Sequence, residues 1–130
     1  MPRDVLPVSL YPAFIGPFSQ GVRAGDFIFT SGQLPYERVA DGIVAGDIQV
    51  QTRQAMRNVQ EILAAAGATL DDLVKVTLFI RDYQDYSAIN DAYSEFFPHT
   101  APARALVQVA TLPPGANIIV DAIAYIGKPK

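Results

Sequence analysis

The spacing of apolar and polar positions divides the chain into short runs of β character and two longer stretches of helical period. Gly21-Val22-Arg23 and Phe27-Ile28-Phe29-Thr30-Ser31 flank Ala24-Gly25-Asp26. β-Branched and aromatic residues on either side of a glycine-containing turn predict a hairpin. A loop follows around Asp41-Gly42 and Gly46. Over residues 47–66 the apolar positions Ile48, Ala55, Met56, Val59, Ile62, Leu63 and Ala66 recur at steps of three and four, with Arg53, Arg57, Gln60 and Glu61 mostly opposite. This pattern predicts an amphipathic helix stopped by Gly67. The run Val74-Lys75-Val76-Thr77-Leu78-Phe79-Ile80 holds one charge and reads as a strand buried largely on both faces. Asp85 is the expected N-cap of a second helix with the stripe Tyr86, Ile89, Tyr93, Phe96 and Phe97, ended by Pro98. Two closing strands, about 104–109 and 118–125, are separated by Leu112-Pro113-Pro114-Gly115.

Strand pair, helix, strand, helix, strand pair is the order of an α+β fold, a mixed β-sheet with two helices packed on one face in a single domain over residues 1–130. Pro2, Pro7, Pro12 and Pro17 predict an extended N-terminal arm, lying on the surface or on a neighbour. A sheet covered on one face leaves the other open, and these strands are too apolar on both sides to meet water there. A closed homo-oligomer, with the bare sheet faces associated around a symmetry axis, is therefore expected.

Composition narrows the chemistry. Half of the 130 residues are hydrophobic, enough to build a core without staples. The absence of cysteine excludes disulfides, thiolate nucleophiles, zinc fingers and iron–sulfur ligation. A net charge of -3, with ten Lys and Arg scattered along the chain, leaves no footprint for nucleic acid. No apolar run approaches the ~20 residues needed to span a bilayer, and Met1-Pro2-Arg3-Asp4 opens no signal-like stretch. No membrane partner and a cytoplasmic location are the expectations.

Candidate chemistry concentrates in Pro102-Ala103-Arg104-Ala105-Leu106-Val107, where one guanidinium enters an apolar run. A cation at the start of a buried strand needs an anion, either an internal carboxylate in a structural salt bridge or a bound acid. Other features read as structural. His99, the only histidine, falls in a loop after Pro98 and is expected to be solvated. Asp71-Asp72 marks a helix terminus or a solvent-facing pair rather than a metal site. Tyr86, Tyr93, Phe96 and Phe97 at helical spacing read as core, and Ser31 alone as a turn residue. Gly25, Gly32 and Gly42 do not have the spacing of a phosphate loop. Neither a metal nor a cofactor is expected.

Four segments in order carry a family resemblance: Ile15-Gly16-Pro17-Phe18-Ser19-Gln20-Gly21-Val22, Ser31-Gly32-Gln33-Leu34-Pro35, the run 74–80, and Pro102-Ala103-Arg104. Together they resemble the YjgF/YER/UK family, also called the reactive intermediate deaminase or Rid family, over nearly the whole chain. The resemblance implies a chorismate-mutase-like homotrimer with three clefts at subunit interfaces. Enzymes of the family hydrolyse reactive enamines and imines, such as 2-aminoacrylate, to a 2-keto acid and ammonia without metal or cofactor. It also implies that Arg104 binds the substrate carboxylate, a role suited to a planar, permanently charged fork. Ser31 and Gly32 would line the cleft floor, and Leu106 would contribute its backbone carbonyl where the family often has Cys.

Two positions depart from the family. Phe18 stands where many deaminating members have Tyr, so a phenolic hydroxyl is missing. Ile119 aligns with the family Glu thought to position the attacking water and move a proton, work an aliphatic side chain cannot do. Asp121, two residues on and on the same strand face, is the candidate for a displaced carboxylate. Two readings follow. One is a metal-free deaminase of 2-aminoacrylate-type intermediates, weakened at Ile119. The other is a non-catalytic trimeric binder of small 2-keto acids. Ribonuclease and chaperone-like roles attached to family members find little support in an acidic chain with one His.

Overall fold

Alternating apolar residues build the strands, and the order of those strands decides what lies near what. In the computed structural model, which describes residues 2–8 and 16–127, the chain begins with β1 (Asp4–Val5), β2 (Gly21–Ala24) and β3 (Phe27–Thr30). A small hairpin of β4 (Tyr36–Glu37) and β5 (Gly42–Ile43) leads into α1 (Ile48–Ala65). β6 (Leu73–Ile80), α2 (Tyr86–Ser94), β7 (Ala103–Gln108) and β8 (Ile118–Tyr125) complete it. Six strands form one mixed sheet in the order β1-β2-β3-β8-β6-β7, with β6 and β7 its parallel pair. Both helices lie on one face, as the α+β reading predicts. The β2–β3 turn pivots on Gly25 at φ +59, a conformation that costs a side chain-bearing residue more than glycine.

The core is the seam between α1 and the sheet. Ala55, Met56, Val59, Ile62 and Leu63 of the helix are fully buried with Ile28, Val76, Leu78, Val120 and Ala124 of the strands. Removing a side chain of this class from such a seam typically costs about 2–5 kcal/mol. Asp47 caps α1 by accepting a 3.0 Å bond from the Val50 N–H. The apolar stripe misses three polar residues that α1 also buries, Gln51, Thr52 and Asn58. Each is satisfied. Gln51 donates to Gly115 O and accepts from the Asn117 N–H, both at 2.8 Å, while Asn58 donates to Leu34 O and Tyr36 O, both at 2.9 Å. Thr52 Oγ1 donates to Ile48 O. These bonds pin the connections before β4 and β8 to the helix.

Several sequence expectations change. Part of the N-terminal arm is strand rather than loop: Asp4–Val5 pairs with β2 while staying exposed, the Leu6 N–H donates to Gly21 O, and the Leu6 side chain joins the core. Pro12 and Ile15 lie outside the described residues. The glycine-rich loop around 41–46 contains the short β4–β5 hairpin. Asp85 occupies the N-cap position of α2 without a side-chain bond; the chain enters through a 3-10 turn, Tyr83–Asp85, whose cap is Asp82 accepting from the Gln84 N–H. The helix ends at Ser94, so Phe96 and Phe97 pack from the following turn.

β6 is not buried on both faces within one protomer. Val76, Leu78 and Ile80 are fully buried beneath the helices, whereas Lys75 is exposed and Thr77 and Phe79 are half-buried on the side that carries no second layer. On that bare face Phe27, Phe29 and Tyr125 are each about 40% exposed, with the rings of Phe27 and Tyr125 at 5.0 Å.

Because Gln51 alone bonds both ends of the turn that launches β8, Gln51→Leu leaves the Asn117 N–H and the Gly115 carbonyl without these partners. The expected loss is about 1–3 kcal/mol, read by urea unfolding of the two proteins side by side.

Candidate functional site

The residues singled out from the sequence form two groups. The first gathers where β3 ends. Ser31 leaves β3, its hydroxyl donating to Ser19 O and its N–H to Gln20 O at 2.8 Å. These bonds fold the segment 17–20 back along the strand and carry Phe18 to the surface, 53% exposed. Ser31 is thus a tie between two segments, its hydroxyl proton committed to a carbonyl. Gln33 is fully buried; its Nε2 donates to Gln20 Oε1 at 2.9 Å and its backbone bridges Val120. Gln33 Oε1 has no hydrogen-bond partner.

Gly32 lies against Ile119: a Cβ on Gly32 would stand 2.8 Å from Ile119 Cγ2. A side chain at 32 would collide with β8, so close approach is what glycine supplies. A surface cavity of about 290 Å³ opens beside this group, lined by Phe18, Ser19, Phe29, Thr30 and Ser31, and by Arg3. Arg3 gave no signal in the sequence, because a single cation in a proline-rich arm has no local pattern.

Asp121 joins the same neighbourhood. The register sets Phe29 opposite Ile123 and bridges Gln33 to Val120, so Asp121 stands level with Ser31 and Gly32, across from Thr77 on β6. Strand alternation puts it on the bare face with Ile119.

The second group belongs to β7, at the far edge of the sheet. Arg104 is half-buried and makes no ion pair: the ion pairs among the described residues join Arg23 to Asp26, Arg38 to Glu61 and Arg53 to Glu95. The expectation of a buried strand is corrected here, and of the two anions expected for Arg104 the internal carboxylate is not found among the described residues. β7 pairs on one side only, and two aromatic rings meet the guanidinium. The Arg104 Cζ stands 5.0 Å from the Tyr93 ring centroid and 5.8 Å from that of Tyr86. Tyr93 is buried, and burial pushes its hydroxyl pKa up to about 12, with the Arg104 charge acting the other way.

Leu106 packs its side chain against the core opposite Leu78. The Val109 N–H donates to Ile80 O; by alternation the backbones of Ala105 and Val107 face β6, and those of Arg104 and Leu106 face the open edge. The Leu106 carbonyl therefore points away from the sheet.

β8 and β6 separate the two groups. Three inter-strand steps between β3 and β7 amount to about 14 Å, so one protomer does not bring Arg104 to Ser31 and Gly32. His99 is exposed in its loop, outside both groups. Among the described residues no three His, Cys, Asp or Glu side chains cluster as metal ligands, and no helix is long and apolar enough to cross a membrane. Tyr86 and Tyr93 were missed as site residues: their seven-residue spacing reads as core, and only the docking of β7 brings Arg104 onto them.

Comparison with known proteins places these features in a family. The family model described as Endoribonuclease L-PSP matches residues 9–126. A RutC family protein of Pyrococcus horikoshii is 42% identical over 123 residues, covering 95% of this chain and 98% of its own. A 2-iminobutanoate/2-iminopropanoate deaminase of Capra hircus is 40% identical over 125 residues, covering 96% of this chain and 91% of its own. The crystal structure of Escherichia coli TdcF with bound serine superposes with a TM-score of 0.87 at 38% identity, covering 95% of this chain and 99% of that one.

Burial raises the Asp121 carboxyl above its ordinary value, and a hydrogen bond with Thr77 offsets part of that rise. A carboxyl that holds its proton more tightly in the folded state stabilises the fold in acid and loses that contribution as pH rises through its folded pKa. Asp121→Asn is therefore expected to raise the thermal midpoint at about pH 7 and to leave it near the parent value at about pH 3. Equal shifts at both pH values would show that the charge is not the cause.

Proposed function

The chain belongs to the Endoribonuclease L-PSP family, the YjgF/YER/UK or Rid family that its motifs resemble, and on that premise we propose that it hydrolyses reactive 2-imino and 2-enamino acids to 2-keto acids and ammonia, without metal or cofactor. The observation that carries this reading is Arg104, a half-buried cation with no carboxylate partner, set beside an outward-facing carbonyl on an open strand edge. Such a group is ready for a small carboxylate. Relatives about 40% identical are named for the same reaction, and a structural relative holds an amino acid.

The working form is a homotrimer in which Arg104 and the Leu106 carbonyl of one copy face Phe18, Ser31 and Gly32 of the next. The bare aromatic sheet face supplies the surface for association. Each 130-residue chain acts as one domain, and its location is cytoplasmic. In the cleft, the guanidinium takes both carboxylate oxygens and fixes the orientation of C2. The Leu106 carbonyl accepts a hydrogen bond from water. An enamine first becomes the imine by taking a proton from water at C3 and giving one up from nitrogen; water then adds to C2 of the imine, the tetrahedral intermediate passes a proton from oxygen to nitrogen, the C–N bond breaks, and ammonia leaves as the keto group forms. Gly32 lets the ligand approach the backbone, and Phe18 forms an apolar wall.

A second reading has its own observation. Ile119, pressed on Gly32, gives that floor an aliphatic surface with no group to move a proton. A trimer that holds 2-keto acids without turnover fits that floor. Asp121, which the strand register sets level with the same segment and whose carboxyl burial raises above its ordinary value, is the carboxyl available to the enzyme reading. RNA cleavage fits neither the net charge of -3 nor a lone His99 in a separate loop.

The enzyme reading expects faster loss of enzymatically generated 2-aminoacrylate or 2-iminobutyrate in the presence of the protein, followed as 2-keto acid and ammonia, with the acceleration gone in Arg104→Ala. Equal rates with and without protein would reject it. Calorimetry with pyruvate and 2-ketobutyrate tests the binder, which requires heat that Arg104→Ala abolishes. Ile119→Glu restores a carboxylate to the cleft floor and is expected to raise kcat by about 10²–10⁴-fold where general acid–base assistance is what limits the rate. An unchanged kcat would move the limit to another residue.

A further inference from the structure

We propose that Tyr86 and Tyr93 are positioning residues for the anchoring cation: two aromatic faces hold the Arg104 guanidinium at the open edge of the sheet without neutralising it, so that its charge is kept for an incoming carboxylate. This rests on the reading of Arg104 as the carboxylate anchor.

Both rings lie within cation–π range of the guanidinium carbon, at 5.8 Å for Tyr86 and 5.0 Å for Tyr93. The two residues are seven apart on α2, two turns of one helix face, and that face meets the side of β7 on which Arg104 stands opposite Val76. The rings are themselves held from behind. Tyr86 stacks on Tyr83 at 5.1 Å, and Tyr93 packs on Phe97 at 4.9 Å. α2 is tied to α1 by Gln49 Nε2 donating to Ala88 O at 3.1 Å and by the two bonds from Arg53 to Glu95, at 3.0 and 2.8 Å. The guanidinium therefore rests on rings that are themselves packed from behind.

The choice of aromatic rings over a carboxylate has a chemical meaning. A carboxylate would hold Arg104 equally well, but it would occupy the N–H fork and cancel the charge, and an incoming acid would have to displace it. A ring attracts a cation through its quadrupole, carries no net charge, and leaves the in-plane donors open for two carboxylate oxygens. The buried Tyr93 hydroxyl has no hydrogen-bond partner, so the ring face, and not the phenol, makes this contact.

The test uses calorimetric titration of the whole protein with 2-ketobutyrate, comparing the parent with Tyr86→Leu, Tyr86→Phe and Arg104→Ala. Tyr86 is 37% exposed, which makes it the tolerant member of the pair. Tyr86→Leu keeps apolar bulk and removes the quadrupole; it is expected to bind about three- to tenfold more weakly, the range to which an ordinary cation–π contact converts. Tyr86→Phe is expected to recover most of that loss. With an imine substrate the Tyr86→Leu change should fall on KM with kcat held, because the ring touches the anchor and not the reacting atoms. If Tyr86→Leu does not fold, Tyr86→Met takes its place in the comparison. Parent affinity in the leucine variant, with binding abolished in Arg104→Ala, would overturn the positioning role and leave the anchor standing. A loss that phenylalanine does not recover would overturn it as well, by assigning the effect to the hydroxyl. Undiminished binding in Arg104→Ala would overturn both the anchor and its positioning.

Discussion

The one-sided covering of the sheet constrains everything else in this molecule. Two helices bury one face of six strands, and the width of those strands separates β3 from β7 by about 14 Å with β8 and β6 between them. The groups that a small acid would need are consequently divided, with the cation and an outward carbonyl at one edge, and the glycine floor and its cavity toward the other. The same one-sidedness leaves Phe27, Phe29 and Tyr125 in contact with solvent. The exposed aromatic face and the division of the candidate groups thus have a common origin in the one-sided covering, and the proposed trimer answers to both.

Electrostatics decides what the edge can bind. Two unit charges 4 Å apart near a protein surface interact by about 4 kcal/mol, so an internal carboxylate on Arg104 would oppose an incoming acid by a comparable amount. Half-burial heightens the contrast, because a guanidinium withdrawn from part of its water gains more from a second partner than a solvated one. Tyr86 and Tyr93 meet it without competing for the fork. Two other arginines illustrate the contrast: Arg53 clasps Glu95 across the two helices, and Arg81 donates to Ala116 O beside the turn into β8.

Periodicity exposed the framework and hid the contacts. The α1 stripe, the hairpin at Gly25 and the two closing strands are legible because each obeys a local rule, three- and four-residue spacing or alternation. The bonds of Gln51 and Asn58 are not, since a polar residue on an apolar face declares nothing about which distant carbonyl it will meet. Asp82 rather than Asp85 caps the entry to α2 for a similar reason: both residue types suit the role, and the backbone of the 3-10 turn chooses between them. Arg104 stood out as a lone cation in an apolar run, and Ser31 and Gly32 through their motif. That they fall into separate halves is a property of strand order, which has no counterpart in local sequence. Tyr86 and Tyr93 both read as core from their spacing, and only Tyr93 is buried, Tyr86 being 37% exposed. Their spacing marks one helix face, and only the parallel docking of β7 beside β6 turns that face into a seat for a guanidinium.

The chemistry expected at such a cleft is undemanding in its first step and exacting in its second. A protonated imine is already electrophilic, and holding it beside an oriented water can supply several kcal/mol of the barrier through lost freedom alone. The Arg104 fork and the Leu106 carbonyl are suited to that part. Collapse of the tetrahedral intermediate requires a proton to travel from oxygen to nitrogen, and here the side chain on Gly32 matters. Ile119 offers no lone pair. Asp121 does, but strand geometry sets it about 7 Å further along β8, a distance a carboxyl covers only through an intervening water. Burial raises its carboxyl above the ordinary value, and the hydrogen bond with Thr77 offsets part of that rise. On the proposed function, such a cleft is better equipped to orient its ligand than to shuttle protons, so that holding and hydrolysis of a 2-imino acid become two rates of one site rather than two separate designs.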